Sequence, residues 1–180
     1  RFMNHIKLNK SNLQFINKFK KDFSSVEKKW NKKYTISFQN FDNEKIKDIP
    51  NIDIYEKSII DTIQCFPKKQ FTYTFSTIKR KINVFFITSI EKTNKELLFC
   101  LKQIFIWFNG IDSYTNSQCS KILDIYIIFS PSLKLLPNDK YEPIGKKNAN
   151  TAFTFSCNER NIIHIFREEE WFKVLIHETF

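Results

Sequence analysis

Ile122-Leu123-Asp124-Ile125-Tyr126-Ile127-Ile128-Phe129 is a nearly continuous apolar run rich in β-branched side chains. Such residues favour the pleated backbone, and a run without polar alternation has no face to give to water. It predicts an interior strand, buried on both faces. Upstream, Gln70-Phe71-Thr72-Tyr73-Thr74-Phe75 alternates with period two, and Lys81 to Thr88 follows after a short polar turn, which predicts a hairpin. Between hairpin and run, Thr93 and Glu96 have the spacing of a capping box that opens a helix over 95–108, with Gly110 as its C-cap. Downstream, Pro131, Pro137 and Pro143 mark an irregular excursion. Two further strands, 151–156 and 162–166, bracket Cys157-Asn158-Glu159-Arg160. A helix follows from Glu168, acidic at its start and apolar nearly all around at Trp171, Phe172, Val174, Leu175 and Ile176. The order predicts an α+β domain whose mixed sheet packs on helices, with the C-terminal helix in the middle of the domain.

Before the hairpin the pattern is helical. Ile16, Phe19, Phe23, Val26 and Trp30 recur at spacings of three and four among lysines, with Ser11 as N-cap. The stripe reads as a face packed on the domain or on a partner, with an anionic membrane surface as the lesser reading. A short strand over 34–38, a polar connection over 42–50 and a helical stretch over 52–65 ending before Pro67 complete this part. A soft boundary near 66–69 divides the chain into an N-terminal helical region, 1–68, and a main domain, 69–180.

One hundred and eighty residues, 42% of them hydrophobic, suit one domain of ordinary size with a sizeable core. Twenty phenylalanines beside two glycines, with abundant Asn, Lys and Ile, share A/T-rich codons and read as genomic drift. The net charge of +10 comes from scattered lysines, with arginine at 1, 80, 160 and 167 only. Arginine is what bidentate phosphate and base recognition recruits, so a solvated surface is favoured over a nucleic-acid footprint. Cys65, Cys100, Cys119 and Cys157 form no C-x-x-C pair and predict free thiols in a reducing compartment. With no signal segment and no run long enough to span a bilayer, the expectation is a soluble, intracellular protein.

The chain closes on His177-Glu178-Thr179-Phe180, the first four residues of an H-E-x-x-H pattern. In that pattern two histidines four apart on one helix face bind Zn²⁺, and the glutamate between them serves the metal-bound water. The bland alternative is a boundary histidine followed by a solvated glutamate. His164, thirteen residues upstream, reads as capping a packed face or meeting solvent rather than as a ligand, and His5 is too remote to rank.

Over Asn150 to Cys157, Ile163 to Arg167 and Glu169 to Phe180, the chain resembles a family of zinc metallopeptidase-like proteins encoded by large nucleocytoplasmic DNA viruses of protists and algae. The resemblance is best over about 120–180, weaker back to about 95, and does not reach the first seventy residues. The family pattern continues into a second histidine after the Thr-Phe pair, so this chain carries the pattern only as far as Phe180. What the resemblance implies is a zincin-like architecture: a twisted sheet on an active-site helix, with an edge strand beside the cleft. It implies His177 as a zinc ligand and Glu178 as general base, in a peptidase acting through metal-activated water. It also implies an edge strand formed by Asn150, Thr151, Ala152, Phe153 and Thr154 that holds an extended peptide or protein substrate. Zn²⁺ would need ligands beyond these residues, so the stretch by itself is expected to bind it poorly and to be inactive. Host cytoplasm or virion is the expected location. Two alternatives of other classes remain: a catalytically decayed or structural virion or interaction protein, and a basic nucleic-acid-binding protein using the N-terminal helix and the Lys79-Arg80-Lys81 turn.

Overall fold

The computed structural model describes residues 10–30, 34–41, 44–65, 68–89, 91–115, 119–130, 133, 137, 139, 141, 143 and 152–179. Its elements run α1 (Lys10–Lys28), β1 (Thr35–Phe41), 3₁₀ turns at Glu44–Asp48 and Ile52–Ile54, α2 (Lys57–Cys65), β2 (Lys68–Ser76), β3 (Lys81–Ser89), α3 (Asn94–Ile111), β4 (Ile122–Ile128), β5 (Ala152–Thr154), β6 (Arg160–Ile165) and α4 (Trp171–Thr179). The fold is α+β. Six strands form one mixed sheet in the order β1-β2-β3-β4-β6-β5. The hairpin pairs β2 with β3 antiparallel, β1 adds to β2, and β4 lies parallel to both β3 and β6, with β5 antiparallel at the far edge.

Strand β4 is the interior strand its sequence predicts. It is paired on both edges, and Leu123, Ile125, Ile127 and Ile128 are buried. One sheet face takes Tyr73, Val84, Phe86, Ile125 and Ile165 into the main core, covered by α3 with Leu97, Leu101, Ile104 and Phe108 and by α4 with Leu175. Helix α1 lies outside α3: Phe23 meets Trp107 at 5.8 Å between ring centroids and Trp30 meets Phe105 at 4.9 Å. The opposite sheet face is covered in part by the 44–65 segment, whose Ile46, Ile49, Tyr55, Ile59 and Ile63 pack on Ile87, Ile128 and Phe166. Residues on either side of 68 thus share one sheet, since β1 pairs with β2 along its length.

That second face carries two cross-strand ladders. Phe85, Tyr126, His164 and Phe153 are register partners on β3, β4, β6 and β5. Their rings follow one another at 4.4, 4.8 and 4.5 Å, and such pairs contribute about 0.5–1.5 kcal/mol each beyond buried area. Two residues along, Thr74 donates to Asn83 at 3.0 Å, Asn83 donates to Asp124 at 2.7 Å, and Arg160 Nε donates to the other Asp124 oxygen at 2.8 Å. A carboxylate inside the sheet is tolerated because both oxygens are bonded.

Local signals are met at α3, where Thr93 and Glu96 form a reciprocal capping box. They fail at three places. Ser11 lies inside α1, whose described part begins at Lys10. Gly110 is inside the last turn of α3, with Asp112 at the C-cap. Its lack of a side chain admits α1, because a Cβ there would stand 2.6 Å from the Phe23 ring. Helix α4 begins at Trp171 and not at Glu168, because Glu170 adopts φ 57° and breaks the turn before it.

His164 is fully buried, as a packed-face histidine should be, and Tyr55 bonds its Nδ1 at 3.0 Å. Burial pulls its pKa down from 6.5 to about 3. The unfolded chain therefore takes up a proton below pH 6.5 that the folded chain refuses, so stability falls as pH falls from 6.5 toward 3. Acidification from pH 6.5 to 4.5 should cost about 2.5 kcal/mol through this residue. Urea unfolding of the wild type and of His164→Phe at both pH values measures it: the variant should lose less stability by about that amount. Equal losses would show that the ring titrates normally.

Candidate functional site

The segment that ends the chain is helical, as expected. Helix α4 runs back over the sheet from the end of β6, against β5 and β6. Its orientation is fixed from below and from the side: Leu175 is fully buried in the main core, and Trp107 of α3 donates its indole N–H to Thr179 Oγ1 at 2.8 Å. Thr179 in turn donates to the carbonyl of Leu175 at 2.7 Å. With Leu175 and Thr179 facing inward, His177 and Glu178, which lie between them in the same turn, face elsewhere. His177 is exposed and Glu178 half-buried.

Glu178 opens into a cavity of about 340 Å³ between α4, the end of α3 and the starts of β4 and β6. Phe108, Leu123 and Ile163 supply apolar wall, and Arg80, Thr115, Ser120, Asn161 and Thr154 supply polar wall. Burial raises the Glu178 pKa, and the neighbouring His177 works against that rise. A carboxylate with raised proton affinity at a cavity rim is a better proton acceptor than a solvated one. Thr154, the last residue of β5, lines the same cavity, so the edge strand and Glu178 border one space. Ala152, Phe153 and Thr154 form the antiparallel edge strand, while Asn150 and Thr151 lie outside the described residues. Phe153 turns to the other sheet face and stacks on His164. Phe180 also lies outside the described residues.

The cavity floor is braced by charge. Asp112 is buried, with Arg80 Nε at 4.0 Å and the Lys79 backbone N–H donating to it at 3.0 Å. Arg80 also donates to Thr115 Oγ1 at 3.1 Å, and Lys79 Nζ to the Thr115 carbonyl at 2.8 Å. Two of the three cations of the Lys79-Arg80-Lys81 turn are thus tied into the fold. The expectation of four free thiols is corrected here. Cys119 and Cys157 form a disulfide, while Cys65 and Cys100 are free. The bond joins the loop before β4 to the loop before β6, where Ser120 N–H also donates to the Asn158 carbonyl at 2.7 Å. Those loops are neighbours because β4 and β6 are parallel partners that start level, Ile122 opposite Arg160. Sequence reasoning also missed Arg80 and Asn161 as wall residues, since strand order brings them to α4.

Zn²⁺ requires three or four protein ligands. Among the described residues no group of three His, Cys, Asp or Glu is placed to hold a metal, and His177 stands as a single exposed imidazole beside Glu178. The described residues therefore do not make a zinc site by themselves. No described helix is long and apolar enough to cross a membrane. No family model, curated protein or solved structure matches the chain.

The disulfide closes a loop with a sequence separation of 38, and such a cross-link stabilises by about 3–4 kcal/mol. The Cys119→Ser/Cys157→Ser double variant should lose roughly that much in urea unfolding, and dithiothreitol should lower the wild type to the same value. An unchanged midpoint in both would contradict the bond.

Proposed function

We propose that residues 69–180 belong to a zinc metallopeptidase-like domain of zincin type, in which His177 is one metal ligand and Glu178 the general base. The observation that carries the reading is the shared cavity: Glu178 borders it from the helix and Thr154 from an antiparallel edge strand. The exposed His177 beside Glu178 and the placement of α4 on the sheet support the same reading. A bound Zn²⁺ would polarise a peptide carbonyl and acidify a water, with its remaining ligands drawn from outside the described residues. The chain's own share can be stated without it. The β5 edge offers main-chain hydrogen bonds to an extended peptide or protein substrate. The Glu178 carboxylate, its proton affinity raised by burial, accepts a proton and passes it to the leaving amine. Trp107 and Leu175 keep the helix from rolling, so that carboxylate stays at the cavity rim.

The full-length protein provides the test, with zinc content and peptide hydrolysis measured together. Glu178→Gln should retain metal and lose turnover by about a hundredfold or more, the scale of a general base. Unchanged turnover would remove the mechanism. Absence of zinc from the wild type would favour a decayed or structural relative.

A further inference from the structure

At the other end of the sheet, β1 is an edge strand without the usual protection. Edge strands of natural sheets carry charges, prolines or bulges that discourage further pairing. Thr35-Ile36-Ser37-Phe38-Gln39-Asn40-Phe41 carries no charge and no proline, and its register to β2 runs unbroken over all seven pairs. The described residues place no strand beyond it. Ile36 and Phe38 sit on the same face as Tyr73 and Phe71, their register partners, so they continue the core face of the sheet past the cover of α3. They remain 52% and 54% exposed, which for large apolar side chains in a row marks a surface to be covered. Beside them is a groove of about 360 Å³, bounded by Phe71 and by Asn94 and Leu98 of α3.

Charge decides what fits. Lys69 is the charged residue among those lining the groove, and Lys45 Nζ lies at the far end of the strand, 2.8 Å from the Asn40 carbonyl. The chain as a whole carries +10. A second copy would bring the same lysines and the same net charge to the contact, whereas an acidic segment is drawn to it. We propose that the β1 edge is a docking site for an extended segment of a partner protein that carries an apolar and an acidic residue two positions apart, so that both face the groove. The segment adds as a seventh strand, its main chain bonding to β1, with its apolar side chain in the Phe38–Leu98 groove and the carboxylate two positions away, on the same face, toward Lys69. Such strand addition draws affinity from the main chain and specificity from the groove. The site lies across the sheet from Glu178 and does not depend on the peptidase reading.

The probe is a fluorescein-labelled nine-residue peptide with glutamate and phenylalanine by turns at every second position and threonine between them, and its counterpart with lysine for glutamate. Anisotropy titrations use the full-length chain at low and at physiological salt. The acidic peptide should bind saturably and more weakly at higher salt, while the lysine peptide should not bind. Phe38→Ser should weaken binding about tenfold or more, the scale of a single anchor side chain. Lys69→Glu should weaken it too, and unchanged thermal unfolding would show that the variants keep the fold. The proposal is overturned if the acidic peptide fails to bind, if both peptides bind alike, or if neither substitution weakens binding. It is overturned equally if sedimentation shows a dimer abolished by Phe38→Ser, which would give the edge to a second copy of the chain.

Discussion

Strand β4 has to satisfy hydrogen bonds on both edges and packing on both faces at once, and the rest of the fold answers to that demand. Its edges are met by β3 and β6 in parallel register. Parallel neighbours need crossovers, and α3 supplies the first, bringing Leu101, Ile104 and Phe108 onto Ile125 and Ile127. The other face is met less uniformly, by the 44–65 segment over Ile128 and by the two ladders elsewhere. Asp124 shows the cost of a polar residue in such a strand: it persists with Asn83 on one oxygen and Arg160 on the other.

The candidate site inherits its position from this arrangement. A helix leaving β6 must turn back across the sheet, and the apolar surface of β4 and β6 holds it there through Leu175. The cavity beside Glu178 lies where α3 ends, β4 and β6 begin and β5 stops. No single element makes it. The Cys119–Cys157 bond and the Arg80–Asp112 pair stiffen two of its walls, so the half-buried carboxylate has a fixed environment.

What could be read from the sequence follows from which forces are local. The hairpin, the capping box of α3 and the buried character of β4 are written in period, cap chemistry and composition, and they stand in the structure. Gly110 misled because a glycine near a helix end usually serves the backbone, whereas here it makes room for Phe23, a neighbour far away in sequence. The α4 start misled because acidic residues favour a first turn but do not prevent Glu170 from taking a left-handed backbone. Cys119 and Cys157 looked unrelated until strand order set their loops side by side. His177 and Glu178 were legible as a pair on a helix, but the cavity and its walls come from long-range register. His164 of the aromatic ladder, read from alternation as capping a packed face or meeting solvent, is buried and held by Tyr55 from a segment more than a hundred residues earlier.

The exposed imidazole of His177 stands beside the half-buried carboxylate of Glu178, and the proposed zincin-type reading makes that imidazole a metal ligand. Zinc K-edge absorption of the full-length protein tests that most directly. It should show imidazole nitrogen at about 2.0–2.1 Å from the metal, with one such scatterer lost in His177→Ala. A protein that takes up no zinc, or a metal environment identical in wild type and variant, would contradict it.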